Sequence, residues 1–152
     1  MQLSDLIQPS RIACGVFCAS KKRSLEQLSE LIVSNEPELN QMEVFESLIA
    51  RERLGTTGLG KGIAIPHGRF KAGTKTLAAF AQLKQGVDYD APDGEPVDLL
   101  FALLVPPQST EEHLQILAQI AEMFRDEKIR ERLRHASNAE ELYRILVSGS
   151  YN

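Results

Sequence analysis

The sequence lacks any apolar run long enough to cross a membrane. A membrane helix needs ~20 consecutive apolar residues, whereas the longest run here, Leu99 to Val105, fits a buried strand. The N-terminus also lacks the basic stretch and apolar core of a signal peptide. We therefore expect a cytoplasmic protein with no membrane insertion.

The sequence also has no excess of basic residues and only two cysteines. The 17 Lys and Arg residues are outnumbered by 21 Asp and Glu, which gives a net charge of −4. Nucleic-acid surfaces are strongly basic, so no nucleic-acid partner is expected. Cys14 and Cys18 would lie about 13 Å apart in a strand that rises ~3.3 Å per residue. A disulfide requires Cα atoms within about 7 Å, so both are expected to be reduced core residues.

Strand patterns occur along much of the chain. Residues 11–19 alternate, with Ile12, Cys14, Val16 and Cys18 on one face. Such alternation predicts a half-buried strand. Further strands are predicted at residues 63–65, 76–83 and 97–105, with 87–89 as a candidate edge strand. The run at 97–105 is apolar on both faces except at Asp98, which is typical of a central strand.

Helix signals separate these strands and follow them. N-cap residues and capping boxes predict five helices: they begin after Ser20, after Asn40 (with Glu43), after Ser109 (with Glu112), near Ile129, and after Asn138 (with Glu141). The 152 residues contain no long linker, which predicts a single domain over residues 1–152. The order of elements predicts an α/β fold, a mixed β-sheet of about five strands sandwiched by helices.

Residues 55–62 form a glycine-rich segment, too rich in glycine for a helix or strand interior. Gly55, Gly60 and Lys61 match part of a P-loop, but Gly62 stands where a Ser or Thr should hold Mg²⁺. The segment also leaves a helix and enters a strand, the reverse of a P-loop. Nucleotide binding is therefore disfavoured, and a flexible connector remains the alternative.

His67 stands at the end of the strand predicted at residues 63–65, between Pro66 and Gly68. Pro66 has a fixed φ and no backbone donor, and Gly68 has no side chain, so a partner can approach the His67 ring closely. A neutral imidazole is a good nucleophile near pH 7. His67 is therefore a candidate to accept a phosphoryl group, and an ordinary loop histidine is the alternative.

The run Gly55-Thr56-Thr57-Gly58-Leu59-Gly60-Lys61-Gly62-Ile63-Ala64-Ile65-Pro66-His67-Gly68 resembles a known phosphorylation-site signature. It is similar to that of the IIA proteins of the bacterial phosphotransferase system, in the fructose/mannitol and nitrogen-regulatory group. Arg51-Glu52 and residues 97–106 resemble the same group. The stretch Ser20 to Arg23, where the first helix is predicted to begin, and the absence of a fused domain are most similar to the nitrogen-regulatory branch of this group. Lys61 departs from the usual Asn, which would add positive charge near the site.

The resemblance implies the fructose/mannitol-type IIA fold. It also implies that His67 accepts a phosphoryl group at Nε2 from an HPr-like phosphocarrier, itself charged from phosphoenolpyruvate by an enzyme-I-type protein. The chain would be a phosphotransferase component with a mainly regulatory role, acting on target proteins of nitrogen and potassium physiology. No cofactor is expected, and no residue pattern predicts an oligomeric state.

Arg51 and His113 are candidates to assist His67. Arg51 shares a helix face with Val44 and Leu48, so it either extends its charge to solvent or reaches into a site to stabilise phosphoryl oxygens. His113 lies on an apolar helix face, where a satisfied core histidine is the alternative. The family resemblance implies that both residues belong to the site. His67 and His113 lack a third ligand at recognisable spacing, so no metal is expected.

Thr56, Thr57 and Gly68 complete the predicted phosphoryl-binding set. The threonine hydroxyls either donate to the phosphoryl group or cap the loop. Arg69 and Lys61 are candidates for steering an acidic partner surface. Two other functions remain open: a sugar-transport IIA component that passes the phosphoryl group to a IIB domain, and a protein-binding module that is never phosphorylated.

Overall fold

The computed structural model describes residues 2–71, 75–108 and 110–149. Two 3-10 turns, Leu3–Asp5 and Pro9–Arg11, precede the first strand. The strands are β1 Ile12–Val16, β2 Gly58–Gly60, β3 Ile63–Ala64, β4 His67–Arg69, β5 Leu77–Val87 and β6 Val97–Val105. The helices are α1 Lys21–Val33, α2 Gln41–Arg53, α3 Thr110–Phe124, α4 Glu127–His135 and α5 Ala139–Gly149.

The strands form one mixed sheet with the order β1-β5-β6-β3-β2. Strand β6 is central, as predicted, because it pairs antiparallel with β5 and parallel with both β3 and β4. Ile63 pairs with Leu99 and His67 pairs with Leu103 further along the same strand. The predicted mixed α/β sheet is therefore confirmed, with six strands in the described residues.

Helices cover both faces of the sheet, as predicted. One apolar cluster joins the sheet to α3, α4 and α5 and includes the packed rings of Phe80, Phe101 and Phe124. The other joins the opposite face to α1 and α2. Strand β5 divides between them by alternation: Phe80 belongs to the first cluster and Ala79 to the second. Among the described helices, none is both long and apolar enough to cross a membrane.

The predicted face assignment of β1 is wrong at its C-terminal end. Cys14 packs with the α3–α5 cluster, but Val16 and Cys18 pack with the α1–α2 cluster. Gly15 has a φ of +64°, and the pairing with β5 shifts register between Ala13 and Val16. A bulge of this kind inserts one residue and reverses the faces that follow it. Both cysteines are free, as expected.

Two short strands were not predicted. Gly58–Gly60 pairs with β3 despite its glycine content, and His67–Arg69 begins at the residue that was expected to lie at a strand end. The candidate edge strand at 87–89 is not a separate strand: Val87 is the last residue of β5 and pairs with Val97 of β6, while Asp88 and Tyr89 follow the strand. Three-residue strands depend on their tertiary partner more than on local pattern.

Helix starts were predicted more accurately. Ser20 accepts a hydrogen bond from the Arg23 amide at 3.1 Å, and Asn40 accepts one from the Glu43 amide at 3.1 Å. Asn138 accepts one from the Glu141 amide at 2.9 Å. The predicted cap at Ser109 lies outside the described residues. These caps fix where α1, α2 and α5 begin.

Candidate functional site

His67 is the first residue of β4, and its position follows from the pairing with β6. The amide of Leu103 donates to the Pro66 carbonyl at 2.9 Å, so the proline keeps its acceptor in the sheet although it has no donor. The half-buried His67 ring then turns back on its own chain. Its Nδ1 lies 2.8 Å from the Ile65 carbonyl oxygen. Because a carbonyl only accepts, Nδ1 carries the proton and Nε2 keeps its lone pair.

The surroundings of His67 favour the neutral ring. Burial lowers the pKa of His67, and the positive charge of Arg51 lowers it further. The hydrogen bond to Ile65 and the charge of Glu52 act in the opposite direction without reversing the shift. At pH 7 the imidazole is therefore uncharged, the form in which Nε2 is a nucleophile.

His67 opens into a groove of about 1140 Å³ between α2, β4 and the start of α3. We call this the His67 groove; its walls include Arg51, His67, Gly68, Arg69 and His113. Three exposed apolar side chains also line it: Met42, Leu54 and Leu114, with 64%, 85% and 61% of their surface exposed. Exposed apolar groups grouped around polar ones are typical of a surface that another protein contacts.

Arg51 lies in the last turn of α2, and the structure brings it into the groove with His67. Its Nη1 donates to the carbonyl of Gly55 at 2.8 Å. This contact turns the guanidinium toward the loop that follows the helix instead of along the helix surface. Arg51 therefore lines the same groove as His67, and its contact with a phosphoryl group stays a prediction.

His113 lies in the first turn of α3, with 8% of its surface exposed. Its ring centroid is 5.4 Å from that of His67, and the two planes are tilted by 52°. Its Nδ1 is buried and has no hydrogen-bond partner among the residues that the structure describes. Burial lowers the pKa of His113, and repulsion from a protonated His67 and from Arg69 lowers it further. A neutral second imidazole therefore stands beside the first.

The two threonines do not line the His67 groove. The hydroxyl of Thr57 is buried and donates to the Glu52 carboxylate, while the Thr56 hydroxyl donates to the Tyr89 carbonyl at 3.2 Å. Thr56 also accepts from the Gly58 amide at 3.1 Å. The hydrogen bonds of both hydroxyls hold the loop, which is the alternative left open by the sequence, and their contact with a phosphoryl group stays a prediction.

Gly68 lies in the groove, but its lack of a side chain serves the fold. A Cβ at this position would come within 2.3 Å of Ser47 Oγ and 3.0 Å of the Ser47 carbonyl oxygen. Strand β4 can thus approach α2 closely only with glycine here. The close approach expected from a partner is made by the chain's own helix, the same helix that carries Arg51.

Lys61 lies away from the groove, so the expected extra charge near His67 is not found. It occupies the turn between β2 and β3 with a φ of +61°. Asn tolerates this conformation better than other residues with side chains. No group of three His, Cys, Asp or Glu side chains suited to a metal occurs in residues 2–71, 75–108 and 110–149.

The sequence analysis missed a buried polar cluster behind the site. Glu52, whose side chain is 2% exposed, forms an ion pair with Lys21 at 2.8 Å and accepts from the Tyr89 hydroxyl at 3.1 Å. The Nζ of Lys21 also lies 4.4 Å from the centre of the Tyr89 ring. The only local signal was Glu52 itself, a charged residue next to Arg51 in the resembling motif.

Known proteins are similar to this chain in sequence and in structure. Residues 5–149 match the family model described as "Phosphoenolpyruvate-dependent sugar phosphotransferase system, EIIA 2". The chain is 48% identical over 147 residues to a nitrogen regulatory protein of Pseudomonas aeruginosa, which covers 97% of this chain and 96% of that relative.

Solved structures agree. The nitrogen regulatory protein IIA-Ntr of Neisseria meningitidis has a TM-score of 0.90 and 44% identity, covering 95% of this chain and 98% of that one. The mannitol IIA protein of Escherichia coli has a TM-score of 0.77 and 25% identity, covering 92% and 98%. The resemblance inferred from the His67 motif is therefore confirmed, and this chain belongs to the EIIA 2 family of the phosphoenolpyruvate-dependent sugar phosphotransferase system.

Proposed function

We propose that this chain carries a phosphoryl group on Nε2 of His67 and regulates target proteins according to whether that group is present. The observation that carries the proposal is the 2.8 Å contact between His67 Nδ1 and the Ile65 carbonyl. It leaves Nε2 as the free lone pair on a neutral ring, in a groove that a second protein can enter.

The reaction is an in-line transfer between two histidines. The Nε2 lone pair of His67 attacks phosphorus, the N–P bond of the donor breaks, and its electron pair returns to the donor imidazole. His67 keeps its Nδ1 proton, which Ile65 continues to accept, and its ring becomes an imidazolium. The donor ring, protonated on its other nitrogen, leaves as a neutral imidazole, so the charges balance and no proton moves between the proteins. Such a reaction needs positioning and charge stabilisation more than acid–base chemistry.

Arg51 and His113 are suited to that stabilisation. A guanidinium beside the attacked group can donate two parallel hydrogen bonds to phosphoryl oxygens. The neutral His113 ring, 5.4 Å from His67, supplies a further N–H donor. Both groups would then bind the negative charge that the transferring phosphoryl group carries.

An HPr-like phosphocarrier is the proposed donor. The exposed side chains of Met42, Leu54 and Leu114 support docking of a protein, because they form an apolar rim around the polar site. A rim of this kind contributes buried area, while the charged residues orient the partner.

Phosphorylation would change what the groove binds. The phosphoryl group itself carries a charge of about −1.5 to −2, so a partner that contacts the apolar rim of the unmodified protein meets an anionic group in the modified one. Relatives called nitrogen regulatory protein support a regulatory role, and we propose targets in nitrogen and potassium physiology. The second candidate is sugar transport with a IIB acceptor, which the name of the family favours.

The test is phosphorylation with purified components. The protein is incubated with phosphoenolpyruvate, an enzyme-I-type protein and an HPr-like protein, and its intact mass is recorded. We expect the mass increase of one phosphoryl group, absent from His67→Ala. Labelling that persists in His67→Ala would refute the assignment, and no labelling of the wild-type protein would favour a binding module that is never phosphorylated.

A second experiment separates regulation from transport. Affinity capture with the phosphorylated and the plain protein should retain different partners if the role is regulatory. In cells that lack the chain, a loss of sugar uptake that His67→Ala fails to restore would favour the transport role instead.

A further inference from the structure

The carboxylate of Glu52 is the centre of the buried cluster behind the His67 groove. It accepts from the Thr57 amide at 3.0 Å and from the Thr57 hydroxyl. On its other side it pairs with Lys21 at 2.8 Å and accepts from the Tyr89 hydroxyl at 3.1 Å. With these donors, the carboxylate ties the end of α2 to the loop, to α1 and to Tyr89, which follows β5.

A chain of hydrogen bonds leads from this carboxylate to the reactive ring. Thr57, held by Glu52 through two donors, offers its carbonyl to the Ile65 amide at 3.1 Å. The carbonyl of Ile65 accepts from His67 Nδ1 at 2.8 Å. The Ile65 carbonyl selects the His67 tautomer, and the Ile65 amide is held by Thr57. Thr57 therefore links Ile65 to the buried carboxylate.

A second branch leads to Arg51. The guanidinium of Arg51 donates to the Gly55 carbonyl at 2.8 Å, and the Gly55 amide donates to the Glu52 carbonyl at 3.1 Å. Gly55 thus lies in the short connection between Glu52 and Thr57. Glu52 holds this connection through its backbone carbonyl, which binds Gly55, and through its carboxylate, which binds Thr57. A shift of this connection would move the acceptor that orients Arg51.

Lys21 compensates the negative charge of the buried Glu52 carboxylate. Burial alone would raise the pKa of Glu52, but the hydrogen bonds from Lys21 and Thr57 outweigh it and hold that pKa below its ordinary value. Lys21 also donates to the Tyr89 carbonyl at 3.2 Å. An ionised, fully hydrogen-bonded carboxylate has a fixed geometry, whereas an unpaired one would be costly to bury.

We infer that Glu52 is a positioning residue of this site, which fixes the His67 ring through Thr57 and Ile65 and the Arg51 guanidinium through Gly55. The inference rests on the proposed phosphoryl transfer for its kinetic consequence, but its effect on the His67 ring does not depend on that function. Positioning shells of this kind act on the orientation of reacting groups without touching the substrate.

Glu52→Gln is the primary variant, because an amide presents a donor where Thr57, Lys21 and Tyr89 all need acceptors. Thr57→Val is milder, since it removes one hydroxyl and keeps the shape, and it serves if Glu52→Gln fails to fold. Thr57→Ser restores the hydroxyl and should recover wild-type behaviour. Asp93→Ala is the matched control, because Asp93 accepts from the Lys61 amide at 2.9 Å and anchors the same glycine-rich segment elsewhere.

The first measurement is the ¹⁵N chemical shift of the two His67 ring nitrogens in the full-length protein above the His67 pKa. We expect the protonated-Nδ1 tautomer in the wild type, in Thr57→Ser and in Asp93→Ala. We expect mixed tautomers in Glu52→Gln and in Thr57→Val. Unchanged ring shifts in both of these variants, or an equal change in Asp93→Ala, would overturn the inference.

The second measurement is steady-state transfer from the phosphorylated donor protein. Misplaced reacting groups should lower kcat about tenfold in Glu52→Gln, with KM for the donor little changed, because the apolar rim is intact. An effect on KM alone would overturn the positioning role. If the wild-type protein accepts no phosphoryl group, the proposed function fails, and the ring shifts still decide the inference.

Discussion

The Nδ1 atom of His67 lies 2.8 Å from the carbonyl oxygen of Ile65, two residues earlier in the chain. This contact predicts that phosphorylation takes place at Nε2 and not at Nδ1. The ³¹P and ¹⁵N spectra of the phosphorylated protein distinguish the two isomers. A phosphoryl group on Nδ1 would require the ring to leave Ile65, and its detection would contradict the orientation described here.

Arg51 should matter for the rate of transfer far more than for stability. Removing one donor to developing negative charge typically costs about 10²-fold in rate, so we expect a loss of that order in Arg51→Gln. Arg51→Lys should recover little, since an ammonium lacks the planar pair of donors. The measurement is the initial rate of phosphoryl incorporation at saturating donor.

Arg53 supplies the control for Arg51. It ends the same helix and is exposed, but it does not line the His67 groove. Arg53→Gln changes the net charge by the same amount and should keep the wild-type rate. Equal losses in the two variants would mean that the charge acts by long-range attraction of the donor and not at the reacting atoms.

The residues of the site differ in how far sequence could predict them. His67 belongs to a continuous motif, so its neighbours Pro66 and Gly68 identify it in the sequence. Arg51 and His113 were also named, because each follows from a helix position in the resembling group. The structure brings all three into one groove, while their roles in transfer remain predictions.

The supporting cluster behind them could not be read from the chain. Lys21 and Glu52 meet because α1 and α2 pack side by side, a contact between residues 31 positions apart. Thr57 was predicted either to donate to the phosphoryl group or to cap the loop. In the structure its amide and its hydroxyl both donate to the buried Glu52 carboxylate, which needs hydrogen-bond donors.

The same holds for parts of the fold. The long strand at residues 97–105 and the helix caps at Ser20, Asn40 and Asn138 follow from local pattern and were predicted, whereas the cap of α4 at Asp126 was not. The strands Gly58–Gly60 and His67–Arg69 exist because β3 and β6 offer them partners. The reversal of faces after Gly15 depends on a single positive φ, which alternation of residue types does not reveal.

His67 should remain neutral to lower pH than an ordinary histidine. Burial and the charge of Arg51 lower its pKa below the ordinary value of about 6.5. Titration of the His67 Cε1 proton by NMR should show this directly. Arg51→Gln removes one cause of the shift, so the pKa of His67 should be higher in that variant than in the wild type, whereas a lower value would contradict the assigned charge effect.

The lowered pKa values also predict how stability depends on pH. Below about pH 6.5 the histidines of the unfolded chain bind protons, while His67 and His113 in the folded protein do not yet do so. The unfolded state then holds more protons, so the free energy of unfolding should fall as the pH drops through that window. Urea titrations between pH 7.5 and pH 5.5 measure it, and His113→Gln should show a weaker fall.

Gly68→Ala should destabilise the protein, because the new Cβ meets Ser47 Oγ at 2.3 Å and the Ser47 backbone at 3.0 Å. Overpacking of this kind costs about 1–3 kcal/mol. In the double variant with Ser47→Ala, the hydroxyl clash is gone but the backbone contact remains, so only part of the loss should be recovered. Chemical denaturation of the three variants gives the free energies of unfolding. Full recovery in the double variant would show that the hydroxyl alone excludes a side chain.

Lys61→Asn should stabilise the protein. Lys61 has a φ of +61°, a conformation held by two hydrogen bonds: its amide donates to Asp93 at 2.9 Å, and its carbonyl accepts from Arg134 at 2.6 Å. The left-handed conformation costs an ordinary residue about 1–2 kcal/mol, and Asn relieves part of that cost through its short polar side chain.

Two further substitutions at the same position separate backbone strain from charge. Lys61→Gln removes the charge but keeps a long side chain with no preference for positive φ, so it should leave the free energy of unfolding near the wild-type value. Lys61→Val introduces β-branching, which opposes positive φ most strongly, and should destabilise. The free energy of unfolding measured by chemical denaturation should therefore be highest with Asn at this position, lower and similar with Lys and Gln, and lowest with Val. If Asn and Gln stabilised the protein equally, the lost positive charge would be the cause. Both residues are neutral, but they differ in the backbone conformations that they favour.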